Sequence, residues 1–280
     1  MKRLYLFVLI LAALMLACNI PSPATPEPGT GEPPAGATDT VAIPATPTIE
    51  IVTPTVQANN VQCSELSFYL DPALASGHTC ETVPENIEND PFQLPQYTSV
   101  TLEGYVLPGE VYFRRIHVYR LAEFLALRPQ ASAGVDKLKA LIAGGAPGAD
   151  ALPVMDLLGA AQEFHAQYKV VSFAGGSGIR FISQYAQYYA PINNSDMFLI
   201  FQGLTSDEQY YISAVLRISN PILPANPLPL PGGMTDEQFS NQFDAYIADI
   251  TSQLNAQPEA SFIPGIALLD ALFQSITIAP

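Results

Sequence analysis

Tyr168 to Ala174 (YKVVSFA), Ile179 to Gln187 (IRFISQYAQ), Met197 to Leu204 (MFLIFQGL) and Tyr210 to Ser219 (YYISAVLRIS) are four runs rich in β-branched and aromatic residues. Such side chains suit a pleated, buried surface, so each run reads as a strand. Turn-forming clusters separate them: Gly175-Gly176-Ser177-Gly178, Pro191-Ile192-Asn193-Asn194 and Thr205-Ser206-Asp207-Glu208. Connections this short pair neighbouring strands antiparallel, which predicts a four-stranded meander.

Working outward, Leu66 to Leu70, Tyr97 to Leu107 and Val111 to Tyr119 read as earlier strands, the last two parted by Pro108-Gly109. Ser132 is placed to cap a helix carrying Val135, Leu138, Leu141 and Ile142 on one face. Gly144-Gly145 and Pro147 stop it, and Pro153 to Glu163 reads as helical or irregular. Downstream, Thr235-Asp236-Glu237-Gln238 is a capping-box pattern. Phe239, Phe243, Tyr246, Ile247, Ile250 and Leu254 follow it at helical spacing. Pro264 can open a last helix through Leu268, Leu269, Leu272 and Phe273, and Ser275 to Ile278 reads as a closing strand. Strands bracketed by amphipathic helices, without strict β-α-β alternation, predict an α+β fold: an antiparallel meander sheet covered by helices.

The first eighteen residues predict an address. Lys2 and Arg3 precede an apolar run from Leu4 to Ala17, and Met15-Leu16-Ala17-Cys18 matches a lipobox. Met15 and Leu16 depart from its strictest form, which takes Leu and then a small residue there. The run is too short to span the hydrocarbon core, which takes about twenty apolar residues. The expectation is a lipoprotein signal over residues 1–17 and a diacylglyceryl-modified Cys18. From Asn19 to Asn59 there are nine Pro and eight Thr, with no aromatic residue and no Lys or Arg. That composition buries too little apolar surface to offset ordering entropy, so residues 18–60 read as lipidated Cys plus a disordered linker. Residues 61–280 then form one globular domain with a sizeable core.

The formal charge is −15, and every basic residue after Arg3 lies between Arg114 and Arg217. Such a surface repels polyanions, which argues against nucleic acid as a partner. Past Cys18 only Cys63 and Cys80 remain. In an oxidising compartment such a pair is expected to bond, with two free buried thiols as the alternative.

Two resemblances follow from particular residues. Gly178 to Tyr185, Phe201 to Thr205, Tyr210 to Leu216 and Leu268 to Ile276 together resemble a pattern in uncharacterised bacterial envelope lipoproteins. That resemblance implies envelope localisation and no particular reaction. The late helix running into a short terminal strand loosely resembles PsbP-like α+β domains in topology.

Signs of chemistry are sparse. Gly175-Gly176-Ser177-Gly178 lacks the second glycine of a Gly-x-Ser-x-Gly elbow, because Ile179 stands there. It reads as a turn needing positive φ, with Ser177 structural. His78, His117 and His165 are isolated, His117 reading as an exposed strand position, and no zinc spacing occurs. Asn193-Asn194-Ser195-Asp196 and Ser206-Asp207-Glu208 read as turns rather than calcium loops. Glu103, Glu110 and Glu163 offer carboxylates with no defined separation. No catalytic, cofactor or metal residue is therefore assigned. Tyr185, Tyr188, Tyr189, Tyr210 and Tyr211 are the candidate binding surface, because adjacent tyrosines on a strand face opposite sides. Cover on both faces would instead make them core. The expected function is a membrane-anchored, non-enzymatic binding or assembly domain for an envelope protein, glycan or small ligand. The alternative is an extracytoplasmic hydrolase whose site is assembled from distant residues.

Overall fold

The predicted meander is present in a computed structural model, which describes residues 58–88, 93–109, 114–148, 150–156 and 160–279. The signal, Cys18 and the linker as far as residue 57 lie outside the described residues, as does Glu110. All the described residues belong to one compact unit, Pro54–Pro280.

In chain order the strands are β1 (Val61–Cys63), β2 (Leu66–Phe68), β3 (Gly77–Val83), β4 (Tyr97–Glu103) and β5 (Arg114–Arg120). Helices α1 (Leu121–Leu127) and α2 (Ser132–Ile142) follow. Then come β6 (Ala161–Gln162), β7 (Ala166–Phe173), β8 (Gly176–Ala186), β9 (Met197–Thr205) and β10 (Tyr210–Arg217). Helices α3 (Asp236–Ala256) and α4 (Ile266–Gln274) and strand β11 (Thr277–Ile278) complete the chain.

The main sheet runs β3-β4-β5-β10-β9-β8, with β6 and β7 both on the far edge of β8, and every pairing is antiparallel. A smaller sheet, β1-β2-β11, joins the two ends of the unit. Cys63 of β1 and Cys80 of β3 stand at disulfide distance, their Cα atoms 5.7 Å apart, where the small sheet meets the outer strand of the large one.

Helices lie on both faces of the sheet. Ile212, Ala214 and Leu216 of β10 share one core with Ile250 and Leu254 of α3 and Leu269, Leu272 and Phe273 of α4. Tyr211 and Val215 of the same strand share the other with Phe124 of α1 and Val135, Leu138 and Leu141 of α2. Two-sided cover explains why MFLIFQGL reads as nearly continuous apolar sequence instead of alternating.

Several local expectations change. The Thr235 capping box forms as predicted: Gln238 N–H donates to Thr235 Oγ1 and Thr235 N–H to Gln238 Oε1. Ser132 caps nothing, because a 3₁₀ turn at Pro129–Ala131 runs straight into α2 and leaves no extended cap residue. The last helix starts at Ile266 after Gly265, two residues beyond Pro264. Residues 151–156 are irregular and lead into β6.

The glycine turn is smaller than its sequence suggests. Phe173 pairs with Gly176, so Ala174 and Gly175 alone make the reversal, and only Gly175 has positive φ, at +83°. Gly176 and Gly178 lie inside β8 and are required for space. A Cβ on Gly178 would fall 2.5 Å from the Gln202 carbonyl oxygen and 2.6 Å from the Phe201 ring.

Candidate functional site

Of the five candidate tyrosines, three are structural. Tyr210 and Tyr211 are 5% and 0% exposed, so neither lines a surface. The α1–α2 layer and the α3–α4 layer each take one of the pair into a core. Tyr185 is half-buried, and its hydroxyl accepts from Gln162 Nε2 at 2.7 Å. These three leave the candidate surface.

Tyr211 instead belongs to a buried polar cluster. Asp156, from the irregular stretch after α2, accepts from Ser213 Oγ at 2.7 Å, Tyr211 OH at 3.3 Å and Tyr119 OH at 3.4 Å. His117 Nδ1 lies 3.5 Å from the same carboxylate and 3.0 Å from Tyr119 OH. Gln202 joins the network through Tyr211 OH and, at 2.9 Å, Ser213 Oγ. His117 is thus not the exposed position its isolated sequence setting suggests; its side chain is 12% exposed and its ring packs on Tyr97. The cause is register: His117 lies directly opposite Ser213 on β10, on the face that Asp156 covers.

Electrostatics follow from that enclosure. Burial pushes the Asp156 carboxyl up, but hydrogen bonding and charge from His117, with the Ser213 hydroxyl, outweigh it and hold the group below its ordinary value. Burial, reinforced by the Asp156 charge, pushes the Tyr211 phenol well above its ordinary value. Histidine, carboxylate and serine do converge here, in the wrong order for acyl transfer. A triad places imidazole between hydroxyl and carboxylate, whereas here Asp156 sits between Ser213 and His117 and takes the serine proton's hydrogen bond. Ser213 is 2% exposed. The cluster fastens the stretch after α2 to β5, β9 and β10 of the sheet.

A second cluster, built on the buried Arg180 and Asp270, does the same on the opposite face. Arg180 Nε donates to Asp270 Oδ1 at 3.0 Å, and its other nitrogens meet Glu259 and the Gln167 carbonyl. Lys169 Nζ reaches Asp270 Oδ2 at 2.7 Å. Two cations against two carboxylates leave the group balanced, tying β7 and β8 to α4. Turn chemistry also accounts for the oxygen-rich loop after β8. Asn193 Oδ1 accepts from the Ser195 and Asp196 amides at 2.9 and 3.2 Å. Among the described residues no group of three or more His, Cys, Asp or Glu is placed to hold a metal ion.

Tyr188 and Tyr189 remain on the surface. Just past the end of β8, they are 68% and 60% exposed. The residues that follow, Ala190, Ile192 and Asn193, are 2%, 0% and 0% exposed, so the pair stands on anchored backbone. Together they wall two adjacent clefts. One, of about 750 Å³, is completed by Pro191, by Pro227, Leu228 and Leu230, and by Asp236, Glu237, Phe239 and Ser240 at the start of α3. The other, of about 710 Å³, includes Ala161, Glu163 and Gln187. Phe243 packs against Tyr189 in a tilted contact with ring centroids 4.8 Å apart, and Phe239 meets Phe243 edge-on at 5.6 Å. Leu228 is 70% exposed. Its contribution was legible as a signal, since residues 218–235 carry five prolines and no charged side chain. Asp156 had no such signal, standing alone in a stretch without periodicity.

No protein family matches this chain, and no curated protein or solved structure is significantly similar to it.

Proposed function

We propose that this chain is a lipid-anchored extracytoplasmic module that binds an envelope partner through the Tyr188–Tyr189 cleft and performs no catalysis of its own. The observation that supports this reading most is the exposure of two adjacent tyrosines, followed directly by buried residues, beside an exposed leucine and a proline-lined wall. Large apolar surface on a soluble unit is concentrated where something docks, and tyrosine is a frequent anchor of such contacts. The anchoring part rests on the Leu4 to Cys18 pattern, and the envelope part on the lipoprotein resemblance. Among the described residues the competing hydrolase reading rests on the convergence of His117, Asp156 and Ser213, whose order and burial oppose it.

The test is a photo-crosslinking amino acid at position 188 of the full chain, expressed in a bacterial host with the lipoprotein pathway. The expected result is a discrete adduct, lost with Tyr189→Ala, on a membrane-associated protein that Cys18→Ser releases or leaves unprocessed. Absence of any adduct, or unchanged membrane association of Cys18→Ser, overturns the corresponding half of the proposal.

A further inference from the structure

The larger cleft combines two features that together select a ligand class. Its walls are apolar and ring-rich: Tyr188, Tyr189, Pro227, Leu228 and Phe239. Its rim is acidic, with Asp236 and Glu237 side by side in the first turn of α3. Neither this cleft nor its neighbour, which adds Glu163, has a basic residue in its lining.

We infer that the cleft takes an extended, proline-containing peptide bearing a basic side chain. This rests on the binding-module reading above and names the partner's chemistry. Polyproline II segments dock against aromatic-lined grooves because their three-residue turn presents flat pyrrolidine faces and costs little ordering entropy. Tyr188 and Tyr189 supply the rings. The Asp236–Glu237 rim supplies the selection: a Lys or Arg next to the prolines gains attraction, while an anionic ligand meets two like charges with no counter-charge in the lining.

The same charge argument separates this partner from the chain's own linker. Residues 19–57 are rich in proline, yet they carry Glu27, Glu32, Asp39 and Glu50 and no basic residue. They suit the apolar wall and not the rim. The occupant is therefore a separate, basic chain.

Fluorescence anisotropy on the full chain in detergent tests this with a labelled peptide, Arg-Pro-Leu-Pro-Pro-Leu-Pro. Controls are its Glu-first variant and a version with glycine at every proline. The Arg peptide is expected to bind at least about tenfold more tightly than either control, with Tyr188→Ala or Tyr189→Ala weakening it about tenfold or more. The double variant Asp236→Asn, Glu237→Gln is expected to erase the preference of Arg over Glu while retaining binding. Equal binding of the three peptides, or tyrosine variants without effect, overturns the inference. Displacement of the probe by a peptide of residues 19–57 also overturns it, assigning the cleft to the linker. So does Tyr188-dependent binding to phosphatidylcholine vesicles without peptide binding, which assigns the patch to a lipid surface. A crosslink at position 188 in cells, without peptide binding, ends this inference and leaves the binding-module reading standing; loss of both ends both.

Discussion

Asp156→Asn is the most informative perturbation of the buried polar cluster. Asparagine keeps the shape and one acceptor, so the 2.7 Å bond from Ser213 can persist. It removes the charge and turns an NH₂ group toward Tyr119 and His117, which lie 3.4 and 3.5 Å from the present Oδ2. A hydrogen bond to a charged group contributes about 1.5–3 kcal/mol, and breaking a buried ionic contact costs about 3–5. The Tyr and His distances are long, so the lower end applies, and the expected loss at pH 7 is about 2 to 4 kcal/mol. For a domain of this size that is a fall in Tm of roughly 4 to 16 °C. The pH dependence is the sharper test. An unfolded aspartate titrates near 3.9, and folded Asp156 lies below its ordinary value. Between those two values the unfolded chain binds more protons, so the stability supplied by ionised Asp156 is complete above the unfolded value. It is lost as pH falls through the folded value. Urea unfolding followed by far-UV circular dichroism, at pH 7 and at pH 2.5, measures both. The gap between wild type and Asp156→Asn should narrow markedly in acid. A gap of equal size at both pH values, or a loss at pH 7 under about 0.5 kcal/mol, would refute the assignment of Asp156 as a buried, ionised hub.

Three other outcomes are expected. Arg180→Met should cost about 3–5 kcal/mol, because it strips the main cation from Asp270, which is 4% exposed; chemical denaturation measures this, and near-neutrality would show that Lys169 suffices. Gly178→Ala should destabilise by about 2 kcal/mol or more through its collision with the Gln202 carbonyl, whereas Ser177→Ala should stay within about 0.5 kcal/mol, both read from thermal melts. Replacing both Cys63 and Cys80 with Ser should cost about 3 kcal/mol for a closed loop of this length, and intact mass before and after reduction and alkylation should show the two thiols only after reduction.

Much of the fold was legible because its signals are local. The meander from β7 to β10 followed from β-branched runs and turn clusters, and α3 from one capping box and one apolar stripe. β3 (GHTCETV) gave no signal: it is an exposed outer strand with polar side chains on both faces, so no alternation marks it. The seven-residue α1 was too short to show a period.

The candidate site divides along the same line. By itself the sequence determined that tyrosines sit in or beside successive strands, that the chain is acidic, and that Cys63 and Cys80 are the two cysteines of the 61–280 region. Those are properties of residue type and spacing. Only tertiary structure decided which tyrosines face solvent, because a strand's sequence does not say how many of its faces are covered. Helices on both faces took Tyr210 and Tyr211 into the cores, while the chain's departure from β8 left Tyr188 and Tyr189 outside. Likewise Asp156 meets His117, Tyr211 and Ser213 across 39, 55 and 57 positions of sequence, an encounter created by sheet register and layer packing. Long-range contacts of this kind have no local pattern to carry them, since each side chain's neighbours are set by elements folded elsewhere in the chain.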